Sequence, residues 1–575
     1  MSSTELAITL HSAGAFMALV AYIAYLKTRG EVDTRDGYFL AGRGLTGTFI
    51  AGSMLLTNLS AEQLIGLNGS AFGFNMSAMA WEVTAGISTI VMALVFLPRY
   101  LAGAFSTLPE FLADRFDDTV RRMTAMLFLL GYTLVTIPSV LYSGSLAVMR
   151  LFDVPTLLGQ SYGVSLTLTI VLIGTIGAVY AVFGGLRAVA ISDTLNGIGL
   201  LAIGALVPIL GLIALGDGNF LAGAAMVFGE QTHKLNAIGA ATDPVPFGTL
   251  FTGMILANLF YWGTNQYVIQ RTLGARNLAE GQKGVLFSGY LKLLVPFFMM
   301  LPGVIAFHLY GSEEFRSIDL AYPQLVRDVL PTYLSGFFLA VLLGAVFSSF
   351  NSLLNSAATL FCLDLYAPLK RVQPSDAQLI RAAKIASVLL ALLSFVIAPL
   401  LMFAPDGLWQ IIRLFTGFYN IPVITIVLVG LFTRRVPALG AKLAIVFHVL
   451  AYGGLNFVWK PDLHFIHSYA VLFLIELALM LWVGRMRPRA EAWRFARKPS
   501  VELIPWRFAL PCALVLGAAI VALYLVFSPI GLVGGLGTSL TLAMATLLVI
   551  TAVLCWWSLR AWRERYTRSI REIGR

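Results

Sequence analysis

Long apolar stretches alternate with short polar ones along almost the whole chain. An apolar stretch of about 18 or more residues is long enough for a helix to cross the hydrocarbon of a bilayer. The pattern predicts an all-helical, polytopic membrane protein with about fifteen transmembrane helices. Their predicted limits are residues 7–26, 47–71, 77–98, 123–149, 161–183, 190–215, 247–264, 284–309, 332–361, 381–403, 408–433, 440–459, 464–484, 508–528 and 536–559.

The basic residues between these stretches predict the side that each loop faces, because cytoplasmic loops carry an excess of Lys and Arg. With the N-terminus outside, the loops that hold most of the 39 Lys and Arg residues all lie in the cytoplasm. An odd number of spans then places the basic C-terminal tail inside. Glu5 precedes the first stretch and Lys27 follows it, which favours an uncleaved span over a signal peptide.

Composition excludes several other classes of protein. The chain is 58% hydrophobic and 12% charged, which is about half the usual charged fraction of soluble proteins. The net charge of +10 comes from short loops without a basic, aromatic-laced stripe, so nucleic acid is not an expected partner. The longest polar stretch, residues 485–507, is too short for a soluble domain. Cys362, Cys512 and Cys555 lie in apolar segments and are expected to be small buried side chains.

Four ionisable residues are predicted inside the bilayer: Glu62, Glu82, Lys292 and Arg413. Each is unfavourable there by roughly 2.5–3.5 kcal/mol on insertion scales, so each needs a partner or a function. Lys292 and Arg413 could instead extend towards the membrane surface, as long side chains do. Glu82 is too short for that. For Glu62, a structural partner and a ligand contact are equally good interpretations.

Two predicted spans carry polar interruptions at corresponding places. One is interrupted at Asn58–Gln63, and the other at Asn258–Gly263, five spans later. Interrupted helices in the two halves of a repeat are typical of secondary transporters, where freed carbonyls bind cations and side chains bind the solute. The predicted span 332–361 adds Ser348 and Ser349, whose hydroxyls could bind Na⁺ or join neighbouring helices.

Several long motifs resemble the solute:sodium symporter family, in its sodium/sugar cotransporter branch. They are NLSAEQLIG, WEVTAGIS, NLFYWGTNQYVIQRTL, EGQKGVLFSGYLKLLVPFFMMLPG and GAVFSSFNSLLNSAATL. The resemblance runs from about residue 37 to residue 480. It implies a LeuT-type core of two inverted five-helix repeats and Na⁺-coupled uptake of a sugar by alternating access.

The implied organisation has five parts. Residues 1–46 form the first helix and a cytoplasmic loop, 47–215 the first repeat and 216–246 an extracellular loop. Residues 247–435 form the second repeat, and 436–575 the C-terminal helices with the basic tail. The expected location is the bacterial inner membrane, with a monomer as the functional unit and no enzymatic activity.

The resemblance also implies roles for individual residues. The Na⁺ ligands are the carbonyls of Leu56, Leu59 and Ala345 and the hydroxyls of Ser348 and Ser349, with Asp193 near the sodium exit path. The solute contacts are Gln63, Glu82, Asn258 and Lys292. The gate residues are Asn58, which could hydrogen-bond the Tyr261 hydroxyl, together with Leu67, Trp81, Tyr261, Trp262 and Trp409.

Three positions depart from the galactose-binding pattern of the family: Ala85, Thr136 and Arg413. Thr136 and Arg413 remain candidate solute contacts. The planar guanidinium of Arg413 suits a carboxylate or sulfonate. The sequence thus predicts a hexose, with an acidic or sulfated hexose derivative as an open alternative.

Other functions remain to be distinguished. A relative with the same fold could import an amino acid, a monocarboxylate or a vitamin, and coupling to H⁺ through Glu62 or Glu82 is a further alternative. A membrane enzyme is disfavoured because the six histidines are scattered, with only His464 and His467 close together, and no nucleophile or phosphate-loop motif is present. Interrupted helices favour occlusion of a solute over a continuous channel.

Overall fold

The computed structural model describes residues 3–28, 34–311, 318–370, 372–403, 408–461 and 463–573. Within these ranges the regular structure is helical, apart from one isolated bridge between Leu45 and Ala275. Twelve helices are long and apolar enough to span a membrane: Ala7–Thr28, Met76–Gly103, Asp118–Met149, Tyr162–Val179, Leu186–Leu215, Thr332–Leu369, Asp376–Phe403, Phe415–Phe432, Ala438–Trp459, Phe465–Met486, Ala509–Val526 and Thr538–Arg571. The predicted all-helical membrane class is confirmed.

A thirteenth crossing is bent. The helices Leu278–Lys292 and Val295–Tyr310 are together long and apolar enough to span a membrane, and they meet at an angle of 44°. We call this pair the bent span. Shorter helices lie between the crossings, at Arg35–Leu40, Leu108–Arg115, Val154–Leu158, Phe220–Gly229 and Ala321–Val329.

Two of the fifteen predicted spans are divided into shorter helices. The first broken helix consists of Gly47–Asn58 and Ala61–Gly73, and the second of Gly253–Gly263 and Gln266–Leu273. Each piece is shorter than the roughly 20 residues that a crossing helix needs. The described residues therefore contain 12 to 13 full-length candidate spans rather than fifteen.

The predicted spans 161–183 and 190–215 correspond to two candidate spans, Tyr162–Val179 and Leu186–Leu215, which lie within one helical stretch, Tyr162–Leu215. The residues predicted as a loop between them include no proline, and they stay helical. Both halves pack against Thr332–Leu369, which we call the serine-rich helix: Gly177 lies against Phe350, and Asn196 lies against Gly344.

Each half of the first broken helix is hydrogen-bonded to one half of the bent span. In one pair of halves, the Gly47 N–H donates to the Glu280 carboxylate over 2.8 Å. In the other, the Asn68 side-chain oxygen accepts from the Gly303 N–H over 2.9 Å. A methyl group at Gly303 would lie 2.0 Å from the Asn68 carbonyl oxygen, so only glycine permits this approach.

Arg115 secures the end of the helix Leu408–Phe432, which we call the cavity helix. The last carbonyls of a helix have no partner within it. The fully buried guanidinium of Arg115 donates to the carbonyl oxygens of Gly430 at 2.9 Å, Thr433 at 3.2 Å and Val436 at 3.1 Å. One side chain therefore supplies hydrogen-bond donors to three carbonyl oxygens at and just after the end of the cavity helix.

We expect Arg115→Met to destabilise the protein by roughly 3 kcal/mol, because buried carbonyls lose their donors. The measurement is the thermal unfolding midpoint of the purified protein in detergent. Arg122→Met is the matched control, since Arg122 is exposed on the following helix. Equal midpoints for the two variants would contradict this role of Arg115.

Candidate solute and sodium site

A cavity lies between several of these helices. Its walls come from the first broken helix, the second broken helix, the serine-rich helix, the cavity helix and parts of Met76–Gly103 and Asp118–Met149. Water-sized molecules can place their centres within about 80 Å³ of it. Since one water needs roughly 10–15 Å³ by this measure, the cavity has room for several waters or one small solute. Its lining includes Asn58, Ser60, Glu62, Gln63, Trp81, Glu82, Thr136, Asn258, Tyr261, Trp262, Asn265, Tyr267, Ser349, Thr416, Tyr419 and Asn420.

The structure brings most of the predicted solute and gate residues to this cavity. Gln63, Glu82, Thr136 and Asn258 line it, as do the predicted gate residues Asn58, Trp81, Tyr261 and Trp262. Leu67 is buried but outside the lining. The side chains of Trp409 and Arg413 lie outside the described residues, although the backbone of both belongs to the cavity helix.

Lys292 reaches the site through Glu82. Its ammonium group forms a buried ion pair with the Glu82 carboxylate, and both side chains are almost fully enclosed. The same ammonium lies 5.3 Å from the centre of the Trp262 ring. Lys292 therefore does not extend towards the membrane surface, and one of the two alternatives for this residue is excluded. The pair supplies polarity beside the cavity while its net charge is zero.

Buried oxygens without protein partners face the same region. Among the described residues, the side-chain oxygens of Asn58, Ser60 and Gln63 are buried and accept or donate no hydrogen bond. A buried polar group without a partner is unfavourable by about 1–3 kcal/mol. Because all three residues line the cavity, a ligand rich in hydroxyl groups would satisfy them.

Neighbouring side chains hold two other predicted contacts in place. The Asn258 amide donates to the Thr84 hydroxyl over 2.9 Å, and this hydroxyl donates to the Ala80 carbonyl. The Thr136 hydroxyl contacts the Gly131 carbonyl at 3.3 Å, within the π-helical turn Tyr132–Thr136. Nothing in the sequence indicated that Thr84 holds Asn258, although Thr84 lies in the motif WEVTAGIS.

An aromatic layer forms one wall of the cavity. The Tyr267 hydroxyl donates to the Tyr261 hydroxyl over 2.8 Å, and Tyr132 and Tyr419 pack edge to face beside it. The expected hydrogen bond between Asn58 and Tyr261 is not formed in this conformation: among the described residues the Asn58 side-chain oxygen has no hydrogen-bond partner, and the Tyr261 hydroxyl accepts from Tyr267. Tyr132, Tyr267 and Tyr419 were missed because tyrosines in apolar spans carry no distinguishing sequence signal.

The predicted sodium ligands lie on two elements that contact each other, the first broken helix and the serine-rich helix. The Ser349 hydroxyl donates to the Thr57 carbonyl over 3.2 Å. The Ser60 N–H donates to the Asn58 carbonyl over 3.0 Å, so the Leu56 carbonyl loses its regular helical donor. The proton of Ser349 is thus engaged while its oxygen lone pairs remain available. Ala345, Ser348 and Leu59 are buried nearby on the same two elements.

Asp193 belongs to a buried network next to the predicted sodium ligands. Its carboxylate accepts from the Ser53 hydroxyl over 2.6 Å and lies 3.9 Å from the Arg271 guanidinium. Arg271 also donates to Ser53, to the Tyr267 carbonyl and to Ser352. The buried Ser348 hydroxyl lies near this carboxylate. Arg271, Ser53 and Ser352 were missed because partners this distant in sequence leave no local pattern.

Glu62 has a structural partner and also lies where it can contact a ligand, the two interpretations that the sequence left open. It lines the cavity, and its carboxylate accepts a hydrogen bond from the Ser143 hydroxyl over 3.2 Å. Glu62 is half-buried, whereas the paired Glu82 is only 3% exposed. The cavity therefore contains one neutralised carboxylate and a second one nearer to water.

These features define a class: a polytopic transporter with a small polar cavity between interrupted membrane helices. The profile of the "Sodium:solute symporter family" matches residues 38–447. The chain belongs to this family, and it is a Na⁺-coupled solute symporter of the cell membrane rather than an enzyme. The resemblance identified from the sequence motifs is thereby confirmed.

Relatives with assigned names are similar along most of their length. The uncharacterized symporter YidK of Escherichia coli is 42% identical over 96% of both chains. The sodium/glucose cotransporter of Vibrio parahaemolyticus is 31% identical over 73% of this chain and 79% of its own. The human sodium/myo-inositol cotransporter 2 is 31% identical over 85% of this chain and 76% of its own.

A solved structure has the same fold. It is the substrate-bound, outward-open state of a Na⁺-coupled sialic acid symporter, which aligns with a TM-score of 0.73 at 20% identity. The alignment covers 84% of this chain and 99% of that one.

We expect Lys292→Met to destabilise the protein by about 3–5 kcal/mol, because it leaves the buried Glu82 carboxylate unpaired. The double variant with Glu82→Gln should recover much of this stability but not solute uptake. Thermal unfolding and uptake are measured on the same preparations. If the double variant were as unstable as Lys292→Met alone, the ion pair would not be the cause.

Proposed function

We propose that this protein imports a small neutral polyol, most simply a hexose, using the inward Na⁺ gradient. The observation that carries the proposal is the cavity in which Gln63, Asn58 and the Glu82–Lys292 pair surround a space for one small solute. Mixed donors and acceptors of this kind match sugar hydroxyls. A solute without hydroxyls would leave buried groups unpaired, and this penalty gives selectivity.

Comparison with relatives supports the same class of solute. The proteins at 31% identity are named for glucose and myo-inositol transport, and both compounds are neutral rings of hydroxyl groups. Gln63, Glu82, Asn258 and Lys292 are the proposed solute contacts, with Thr136 beside them. The rival solutes, an amino acid or a monocarboxylate, would meet a cavity more polar than they need.

Sodium is proposed to bind between the first broken helix and the serine-rich helix. Its ligands would be the carbonyls of Leu56, Leu59 and Ala345 and the hydroxyls of Ser348 and Ser349. Ser349 supports this assignment because its proton is engaged by Thr57, which leaves the oxygen to face a cation. Binding there would fix one broken helix against the rest of the bundle and so link sodium to the solute cavity.

The proposed architecture is the LeuT-type pair of inverted repeats, residues 47–215 and 247–435. Counting both broken helices with the 13 candidate spans gives the fifteen crossings of the sequence prediction. The N-terminus is then outside and the C-terminus inside, with the molecule acting as a monomer in the bacterial inner membrane. Tyr261 and Trp262 would close the cavity towards the cytoplasm, and Leu67, Trp81 and Trp409 towards the outside.

Asp193 is proposed to receive sodium on its way to the cytoplasm. Its buried carboxylate is already shared with Ser53 and Arg271, so a departing cation would compete with the guanidinium for one oxygen. This arrangement disfavours a long-lived sodium ion at Asp193 and favours release.

Coupling of uptake to sodium can be measured directly. Purified protein in proteoliposomes should accumulate labelled glucose, galactose or myo-inositol when a Na⁺ gradient is imposed. In Ser349→Ala, loss of one ligand should raise the sodium concentration for half-maximal uptake by about tenfold. Ser335→Ala, on the same helix outside the predicted site, is the control. Uptake that persists without Na⁺ and follows a pH gradient would instead show proton coupling through Glu62 or Glu82.

The charge of the solute can be tested through Arg413. Arg413 departs from the family pattern, and its guanidinium would favour an acidic or sulfated sugar. If it contacts the solute, Arg413→Gln should weaken competition by anionic sugars by about tenfold relative to neutral ones. Competition against labelled sugar uptake measures this ratio. An unchanged ranking of neutral and anionic competitors would exclude the anionic alternative.

A further inference from the structure

A second large cavity lies far from the solute site, at the ends of two membrane spans. We call it the arginine cleft; its lining includes Arg99, Phe432, Arg434, Trp493, Arg494 and Glu572. Water-sized molecules can place their centres within about 680 Å³ of it. Arg99 lies near the end of Met76–Gly103, and Phe432 ends Phe415–Phe432. The cleft therefore opens at the boundary between hydrocarbon and water.

Positive charge exceeds negative charge in the described lining of the arginine cleft. Among the described residues, the Arg434 and Arg494 side chains make no hydrogen bond and no ion pair, and both are exposed. The Arg99 guanidinium is half-buried, donates to the Val95 carbonyl over 2.6 Å and lies 5.7 Å from the centre of the Phe432 ring. Against these three cations the described lining contains one carboxylate, Glu572.

The wall of the cleft is held in place rather than being a loose linker. The Trp493 N–H of the backbone donates to the Arg434 carbonyl over 2.8 Å, and its indole N–H donates to the Asp114 carbonyl over 3.1 Å. Further along, the Lys498 N–H donates to the Ala102 carbonyl over 2.9 Å. These bonds hold the backbone that carries Arg434 and Arg494 on one side of the opening.

The cleft also has an apolar side that faces the membrane. Phe432 is 61% exposed although it ends a membrane span, and the ring contacts the cleft's innermost arginine. A soluble anion would leave this surface uncovered. A molecule with a phosphate group and acyl chains would satisfy the arginines and cover Phe432 at once.

We propose that the arginine cleft binds the headgroup phosphate of an anionic phospholipid. Basic pockets at the membrane boundary are general sites for such headgroups, and arginine binds phosphate oxygens through paired N–H donors. Every lining segment also belongs to a part of the chain whose basic residues predict the cytoplasmic side. The occupant is thus a lipid of the inner leaflet, and the site is separate from solute transport.

The test uses the full-length protein in detergent and native mass spectrometry. Phosphatidylglycerol should remain bound to the wild type, whereas phosphatidylcholine should not. Arg434→Gln with Arg494→Gln should weaken phosphatidylglycerol binding on the order of tenfold or more, since each arginine contributes about 1 kcal/mol. The matched control is Arg485→Gln with Arg487→Gln, which removes two exposed arginines at the start of the same linker outside the cleft.

A gain of binding separates the proposal from misfolding. Glu572→Gln removes the opposing carboxylate and should tighten phosphatidylglycerol binding several-fold, which a damaged fold would not do. Equal loss in the control pair, or no gain in Glu572→Gln, would overturn the proposal. Glycerol 3-phosphate serves as the soluble probe. If it displaced the lipid at equal concentration, the site would be one for soluble phosphates, and the lipid assignment would be wrong.

Discussion

Backbone hydrogen bonding in hydrocarbon is the constraint on which the rest of this structure depends. No water is present at mid-membrane to satisfy a freed N–H or C=O group, so an interrupted helix is stable only where protein surrounds the interruption. The break at Leu59–Ser60 meets this condition through the serine-rich helix, whose Ser349 hydroxyl donates to the Thr57 carbonyl. The carbonyl oxygens freed at such a break are unfavourable in lipid, and they are the groups proposed above to bind sodium.

Glu82 and Lys292, two charged side chains beside the cavity, are buried within the protein. Glu82 and Lys292 neutralise each other, and Trp262 covers the ammonium. A buried ion pair seldom adds stability over apolar side chains of similar size, which is consistent with the solute contact proposed for this pair. The unsatisfied oxygens of Asn58 and Gln63 complement it, because they offer acceptors where the ion pair offers full charges.

The sequence predicted this arrangement unevenly, for physical reasons. Polar letters in an apolar run are conspicuous, so the two interruptions and the buried charges at Glu82 and Lys292 were all found in advance. The pairing of those two charges was not, because residues 210 positions apart leave no joint pattern. The number of unbroken spans was overestimated in the same places for a related reason: composition shows that a segment is apolar, but not that its helix stops at Asn58.

Long-range packing explains the other differences. Arg271 reads as an ordinary basic residue at a helix end, yet it is fully buried against Asp193. Arg115 likewise reads as a loop charge, yet it closes the end of the cavity helix. The residues between the predicted spans 161–183 and 190–215 carry an arginine, Arg187, which suggested a loop where the helix in fact continues.

The half-to-half joining of the first broken helix and the bent span has a mechanical consequence. Glycine contacts bind each pair of halves so closely that neither member can slide along the other. Both elements, however, are interrupted, one at Leu59–Ser60 and the other between Lys292 and Val295. The first broken helix and the bent span are thus joined in both halves, and each is interrupted between its halves. Under the proposed alternating access, a tilt of one joined pair of halves would need rotation only at the two interruptions, and the other pair would keep its packing.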